Sequence, residues 1–238
     1  MSVPAAPVAH GRRVFRNTLI TGVVGVVSLL ANFFVIGIAA HRLAPSAYGI
    51  LVLALSFSVS AGYLSVSDLG LQAGVTRFVA DADGRGQRER IGEVVSSALA
   101  VLLAAAAVAI IVLLALSFIA ADLFHVSGAG VQNALHLLFI LLAGEALFGL
   151  PGLAFVGVLQ GLQRYGWIKA VDLTRQILYT IAAVTVLVTG HGVVAFGVTM
   201  VSGTAFAAVG YAVVAHYLCP DLWFAFRLFS RKELQSLA

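Results

Sequence analysis

Charge is what this sequence has least of. Only 10% of its 238 residues are Asp, Glu, Lys or Arg, against 61% hydrophobic ones. An ordinary soluble domain carries about 25% charged residues, and a water-soluble fold of this size could not cover itself with so few. Lipid as solvent resolves the imbalance, and the mean hydropathy of +1.04 agrees. Cysteine is nearly absent as well. The single Cys219 excludes an intrachain disulfide, leaves the redox compartment unread and is read as a small apolar residue. Motifs for chemistry are also missing. There is no P-loop, no HExxH, no GxSxG, and the six histidines (His10, His41, His125, His136, His191, His216) are scattered without metal-ligand spacing. Gly84-Arg85-Gly86 has no strand before it to make a dinucleotide site. The sequence thus gives no catalytic residue, no metal site and no cofactor, and the reading is not an enzyme.

What is present is long uncharged runs. A membrane helix needs about 20 apolar residues, because roughly 30 Å of hydrocarbon divides by a 1.5 Å rise. The gaps between charges predict six spans, at about 14–41, 45–67, 92–121, 132–163, 167–189 and 193–217, with a tail at 221–238 that is interfacial or a linker. The first run follows Arg12, Arg13 and Arg16 and is too long for a cleavable signal, whose apolar core is about 7–15 residues. The uncharged stretch from Gln176 to Pro220 is too long for one straight helix, and Thr189-Gly190-His191-Gly192 divides it. Period-2 alternation is lacking, which excludes barrel strands. The fold class is all-α, a polytopic membrane protein of six transmembrane helices in residues 1–220.

Thirteen of the fourteen Lys and Arg residues fall in alternate segments: the N-terminus, loop 2–3, loop 4–5 and the C-terminal tail. Arg42 is the exception. The positive-inside rule places those segments, and both termini, in the cytoplasm. The basic balance, formally +4, is explained by this distribution and needs no nucleic-acid partner. Trp167 and Trp223 stand beside the basic ends as interface anchors.

Several fragments are similar to the N-terminal half of the oligosaccharide and polysaccharide flippases, the Wzx-type exporters of the multidrug/oligosaccharidyl-lipid/polysaccharide superfamily. They are Arg16-Asn17-Thr18-Leu19, Leu43-Ala44-Pro45-Ser46-Ala47-Tyr48-Gly49, Ser67-Asp68-Leu69-Gly70-Leu71 followed by Thr76-Arg77-Phe78-Val79-Ala80, and Leu159-Gln160-Gly161-Leu162-Gln163-Arg164-Tyr165. Their order and spacing match across nearly the whole chain. The resemblance implies one lobe of a two-lobe bundle in a bacterial inner membrane, which moves lipid-pyrophosphate-linked oligosaccharide outward by alternating access. It also implies membrane lipids and a second transmembrane lobe as partners, since the matching fragments account for one lobe only. A drug or cation antiporter of the same superfamily and a non-transporting scaffold are the alternatives. A membrane-embedded transferase using His41 or His191 is a more distant one.

The candidate residues each carry two readings. Glu145 lies near the middle of the fourth run, where a carboxylate costs a few kcal/mol and should face the bundle interior. It is either an ion-coupling or substrate-contact site, or a locally hydrogen-bonded group without function. Pro151 removes a helical hydrogen bond and should kink that span. With Gly157 and Gly161, a GxxxG pair, it serves packing or hinging. Asp68 and Gly70 mark either a break in a cavity-lining helix, as the resemblance implies, or simply the end of the second span. Arg77 holds a pyrophosphate through its bidentate donors, or else lipid headgroups. Arg16, Arg164 and Arg175 are further substrate-binding candidates, although Asp172 and Arg175, at i and i+3, are expected to pair.

The charge pattern is checked by labelling in a Cys219→Ser background. Cysteines placed at Ser127 or His191 should react with a membrane-impermeant thiol reagent in intact cells, and one placed at Gln87 only after permeabilisation. The opposite pattern overturns the topology.

Overall fold

Apolar runs with few helix breakers must satisfy their backbone internally in a low-dielectric setting, and the α-helix does so within one segment. The structure, a computed structural model, describes residues 8–59 and 70–219, with side chains from residue 22 onward. Seven helices lie in that part: α1 (Val8–Arg42), α2 (Pro45–Ser56), α3 (Leu71–Gly84), α4 (Arg88–Leu123), α5 (Ala129–Gly161), α6 (Tyr165–Val188) and α7 (Gly192–Leu218). No strand occurs among the described residues. Five of these helices (residue 22 onward in α1, and all of α4, α5, α6 and α7) are long and apolar enough to cross a membrane, and α2 is a shorter apolar one. Their surfaces are inverted relative to a soluble protein. Phe33 is 78% exposed and Phe118 is 74% exposed, whereas Glu145, Gln176 and Thr204 are buried. An apolar surface of that extent is covered by lipid. The chain is an all-α polytopic membrane protein.

The helix α5 organises the bundle. It packs against α4, α7, α3 and α2, while α6 packs on α7 and α1 packs chiefly on α6. The apolar core divides along α5 into two clusters. Leu135, Phe139, Ala146 and Leu150 belong to one, shared with α1, α2 and the second half of α4. Ala154, Val158 and Leu159 belong to the other, shared with α3 and the first half of α4. Pro151 lies at this division, inside a helix that continues on both sides of it.

The second apolar run departs from expectation. A single helix over 45–67 is predicted, but α2 stops at Ser56. The last turn tightens, with the N–H of Phe57 donating to the Ala54 carbonyl and that of Ser58 to the Leu55 carbonyl. The Ser58 hydroxyl then turns inward to Glu145. The end of α2 is thus tied to α5 by a polar contact. Residue Asp68 lies outside the described residues. Gly70 has φ +78, a left-handed conformation that glycine adopts without steric cost, and it opens α3. The amphipathic helix α3 was not anticipated. Its signal is there in Leu71, Val75, Phe78, Val79 and Ala82, an i, i+4, i+7, i+8 stripe.

Together α2 and α3 follow α5 in one direction. Ser58 meets Glu145, Val59 meets Gly149, Val75 meets Gly157 and Val79 meets Gly161. The approach is closest at the GxxxG pair. A Cβ at Gly157 would lie 2.9 Å from the Val75 Cβ, and one at Gly161 would lie 2.8 Å from the Val79 Cβ and 2.9 Å from the Thr76 carbonyl oxygen. Those distances leave no room for a side chain, so glycine is required sterically. Thr76 Oγ1 also donates to Gln160 Oε1 at 3.1 Å, which adds a polar tie to the same seam. The 45-residue uncharged stretch ends one helix at Val188 and begins the next at Gly192, with Gly190 and Gly192 both at positive φ.

Overpacking a tight seam costs about 1–3 kcal/mol. Gly161→Val should lower the melting temperature of the purified chain by that equivalent. Adding Val79→Ala should recover part of the loss, whereas the same valine at the exposed Gly166 should leave it unchanged.

Candidate functional site

Polar side chains in this bundle collect around two adjoining cavities. The larger, about 530 Å³, is enclosed by α1, α2, α5, α6 and α7, and its polar lining includes Asn32, Tyr48, Glu145, Arg175, Gln176 and Thr204. The smaller, about 300 Å³, is lined by Gln160, Lys169, Asp172, Arg175, Thr204 and Tyr211 among others. Arg175 and Thr204 border both. The smaller one lies toward the ends of α5 and α6 that meet at Arg164, the basic end of the bundle.

The polar groups come from several helices, with Lys169, Asp172, Arg175 and Gln176 on α6 and Thr204 and Tyr211 on α7. Gln176 is 3% exposed, and its Nε2 donates to Asn32 Oδ1 at 3.2 Å and to Thr180 Oγ1 at 3.3 Å, tying α6 to α1. Glu145 is 1% exposed, and its Oε1 accepts from Ser58 Oγ at 3.0 Å. Thr204 Oγ1 stands 3.5 Å from the same oxygen. In the smaller cavity, Lys169 Nζ lies 3.0 Å from Asp172 Oδ2, and the Tyr211 hydroxyl donates to Asp172 Oδ1.

That arrangement corrects the expected Asp172–Arg175 pair. Lys169 and Arg175 flank Asp172 at i−3 and i+3, but Lys169 and Tyr211 occupy the two carboxylate oxygens. Arg175 makes no ion pair among the described residues and borders both cavities instead. A guanidinium in this place offers planar, bidentate donors to an anion.

The remaining candidates sit elsewhere. Arg77 is exposed on α3, and Arg164 is exposed in the turn before α6, so neither lines a cavity. The side chain of Arg16, like Asp68, lies outside the described residues. Pro151 is half-buried within α5, and Gly157 and Gly161 face α3 rather than a cavity. Ser58, Thr204, Lys169, Gln176 and Tyr211 belong to the site and were not singled out from sequence. A hydroxyl in an uncharged run carries no signal of its own, and Tyr211 is brought to Asp172 only by the packing of α7 on α6. No group of three or more His, Cys, Asp or Glu that could hold a metal ion occurs among the described residues.

Helices that cross a bilayer around polar cavities define a multi-pass membrane protein of transporter type. The family model described as polysaccharide biosynthesis protein matches residues 14–237, and the chain belongs to that family, the family of the Wzx-type polysaccharide flippases. This is a transporter-type family and not a known enzyme family. No curated protein and no solved structure matches the chain.

The Asp172 assignment is testable by stability. Losing a hydrogen-bonded ion pair of this kind costs about 1–3 kcal/mol. Asp172→Asn should show that loss in thermal unfolding, and Arg175→Ala should stay within about 0.5 kcal/mol of the parent. A cycle in which Asp172 couples to Arg175 rather than Lys169 reverses the assignment.

Proposed function

We propose that this chain forms one lobe of a flippase that carries lipid-pyrophosphate-linked oligosaccharide across the bacterial inner membrane for polysaccharide biosynthesis. The observation that carries the reading is the place of Arg175, a cation on the shared border of two cavities within a chain of this family. A pyrophosphate is an anion whose oxygens match the guanidinium fork. The glycan occupies the water-accessible cavity, and the lipid tail stays in the bilayer beside the exposed apolar faces of α1 and α4. Transport needs no covalent step. It proceeds by alternating access, with an ion gradient or the membrane potential as the drive and a second transmembrane lobe completing the pathway. Both termini and the basic loops face the cytoplasm, so the smaller cavity lies nearer the side on which such substrates are made.

A drug or cation antiporter would place unpaired acidic groups in the cavities. Here Asp172 is bound on both oxygens and Glu145 is hydrogen-bonded, while Arg175 remains for an anion. That favours the lipid-phosphate substrate.

The test is complementation of a flippase-deficient strain by this chain, alone and joined to a second set of spans. Arg175→Ala should lower transport roughly 10–100-fold, the equivalent of one lost charge-assisted hydrogen bond, with membrane insertion unchanged. Arg77→Ala should change it by no more than about twofold. Full activity of Arg175→Ala would sink the assignment.

A further inference from the structure

Three tyrosines border the two cavities, and they are used differently. Tyr211, on the smaller one, donates to Asp172. Tyr48 of α2 and Tyr179 of α6 both line the larger one, and the side chain of neither makes a hydrogen bond among the described residues. A partly buried phenol hydroxyl normally finds a partner, and for these two the contents of the cavity remain. The Tyr179 ring is also held in place. It packs at 72° against Phe196, which is 2% exposed, with the ring centroids 6.2 Å apart, an edge-to-face arrangement. Tyr179 lies four residues after Arg175 on α6, so the two side chains are neighbours on one helix face, with about 5–6 Å between their Cβ atoms. Arg175 borders both cavities, whereas Tyr179 borders the larger one only.

We propose that Tyr179 and Tyr48 bind the pyranose ring bonded to the phosphate that Arg175 holds, and so select the first sugar of the cargo; this rests on the flippase reading above. A pyranose presents faces of C–H groups, whose slight positive charge suits the negative face of an aromatic ring. Its rim carries hydroxyls that a phenol oxygen can bond as donor or acceptor. One helical turn separates the group that takes the phosphate from the group that takes the ring, and phosphate and ring are bonded in that order in the cargo. The rest of the lining agrees. Leu51, Leu55, Phe196 and Met200 are apolar, and a small-molecule site is mostly apolar with a few placed polar groups. No Lys or Arg besides Arg175 lines the larger cavity among the described residues. An acidic sugar would find no second cation there, so the selected ring is uncharged.

The experiment titrates the purified full chain with glucose 1-phosphate and with methyl phosphate, a monoester of the same charge without a ring, and reads the midpoint of thermal unfolding. The parent should bind glucose 1-phosphate roughly tenfold more tightly, the equivalent of one aromatic contact with its hydrogen bond. Tyr179→Ala should reduce that preference to less than about twofold and leave methyl phosphate binding unchanged. Tyr179→Phe, which keeps the ring, should retain most of the preference, and Tyr48→Phe should lose a few-fold of it. Arg175→Ala should weaken both ligands by the same factor. If Tyr179→Ala does not fold, Tyr179→Leu, which keeps bulk and removes the ring, takes its place. A parent that does not prefer glucose 1-phosphate, or a Tyr179 variant that weakens both ligands equally, overturns the sugar contact, and binding of methyl phosphate through Arg175 would leave the transport reading standing. A preference that depends on Tyr179 while Arg175→Ala changes neither ligand would support the sugar contact and count against the anion reading of Arg175.

Discussion

Apolar side chains gain nothing from meeting each other when the alternative is a lipid tail, so helices in a bilayer are held by close packing and polar contacts. The α5 helix meets both needs. Gly157 and Gly161 let α3 approach until its backbone carbonyls nearly touch the α5 axis side, and Gly149 and Gly152 do the same more loosely for Val59 and for α7. One turn before Gly149 stands Glu145, whose carboxylate is buried. Everything else is arranged around this helix. The two apolar clusters share it, and the two cavities open beside it.

The polar residues of the cavities are linked in a way that separates structural from available charge. Asp172 is consumed by Lys169 and Tyr211, which lock α6 to α7. Gln176 is occupied by Asn32 and Thr180, which ties α1 to α6. Arg175, beside Gln176 and three residues after Asp172, lines both cavities. Most of these polar groups are thus fixed, and Arg175 stands on the border of both cavities without an ion pair among the described residues.

The membrane class and the long helices were legible in the sequence because charge gaps of about 20 residues and alternate basic segments are set by the thickness and polarity of a bilayer. The division at Thr189–Gly192 was legible because glycine marks positive φ. The end of α2 at Ser56 was not. Just beyond it Ser58 meets Glu145, 87 residues away, and no local propensity reports that contact. The helix α3 was hidden for a different reason. Its charged face, with Arg77, Asp81 and Asp83, read as a loop, although its apolar stripe has helical spacing. The pairing of Asp172 failed as an expectation because two cations stand at equivalent spacing on α6, and the sequence does not show that Tyr211, on another helix, takes the second carboxylate oxygen.

The attachment of α1 bears on how the lobe is made. Its chief partner is α6, and it touches α2 only slightly. A ribosome must therefore deliver everything from Pro45 to Arg164 before the surface that receives α1 exists. Until then α1 must reside in lipid by its own apolarity, and its row of exposed Leu29, Leu30, Phe33 and Phe34 equips it to do so. Closure of the larger cavity is thus among the last events in assembly, and a defect in α6 would leave α1 correctly inserted but unattached.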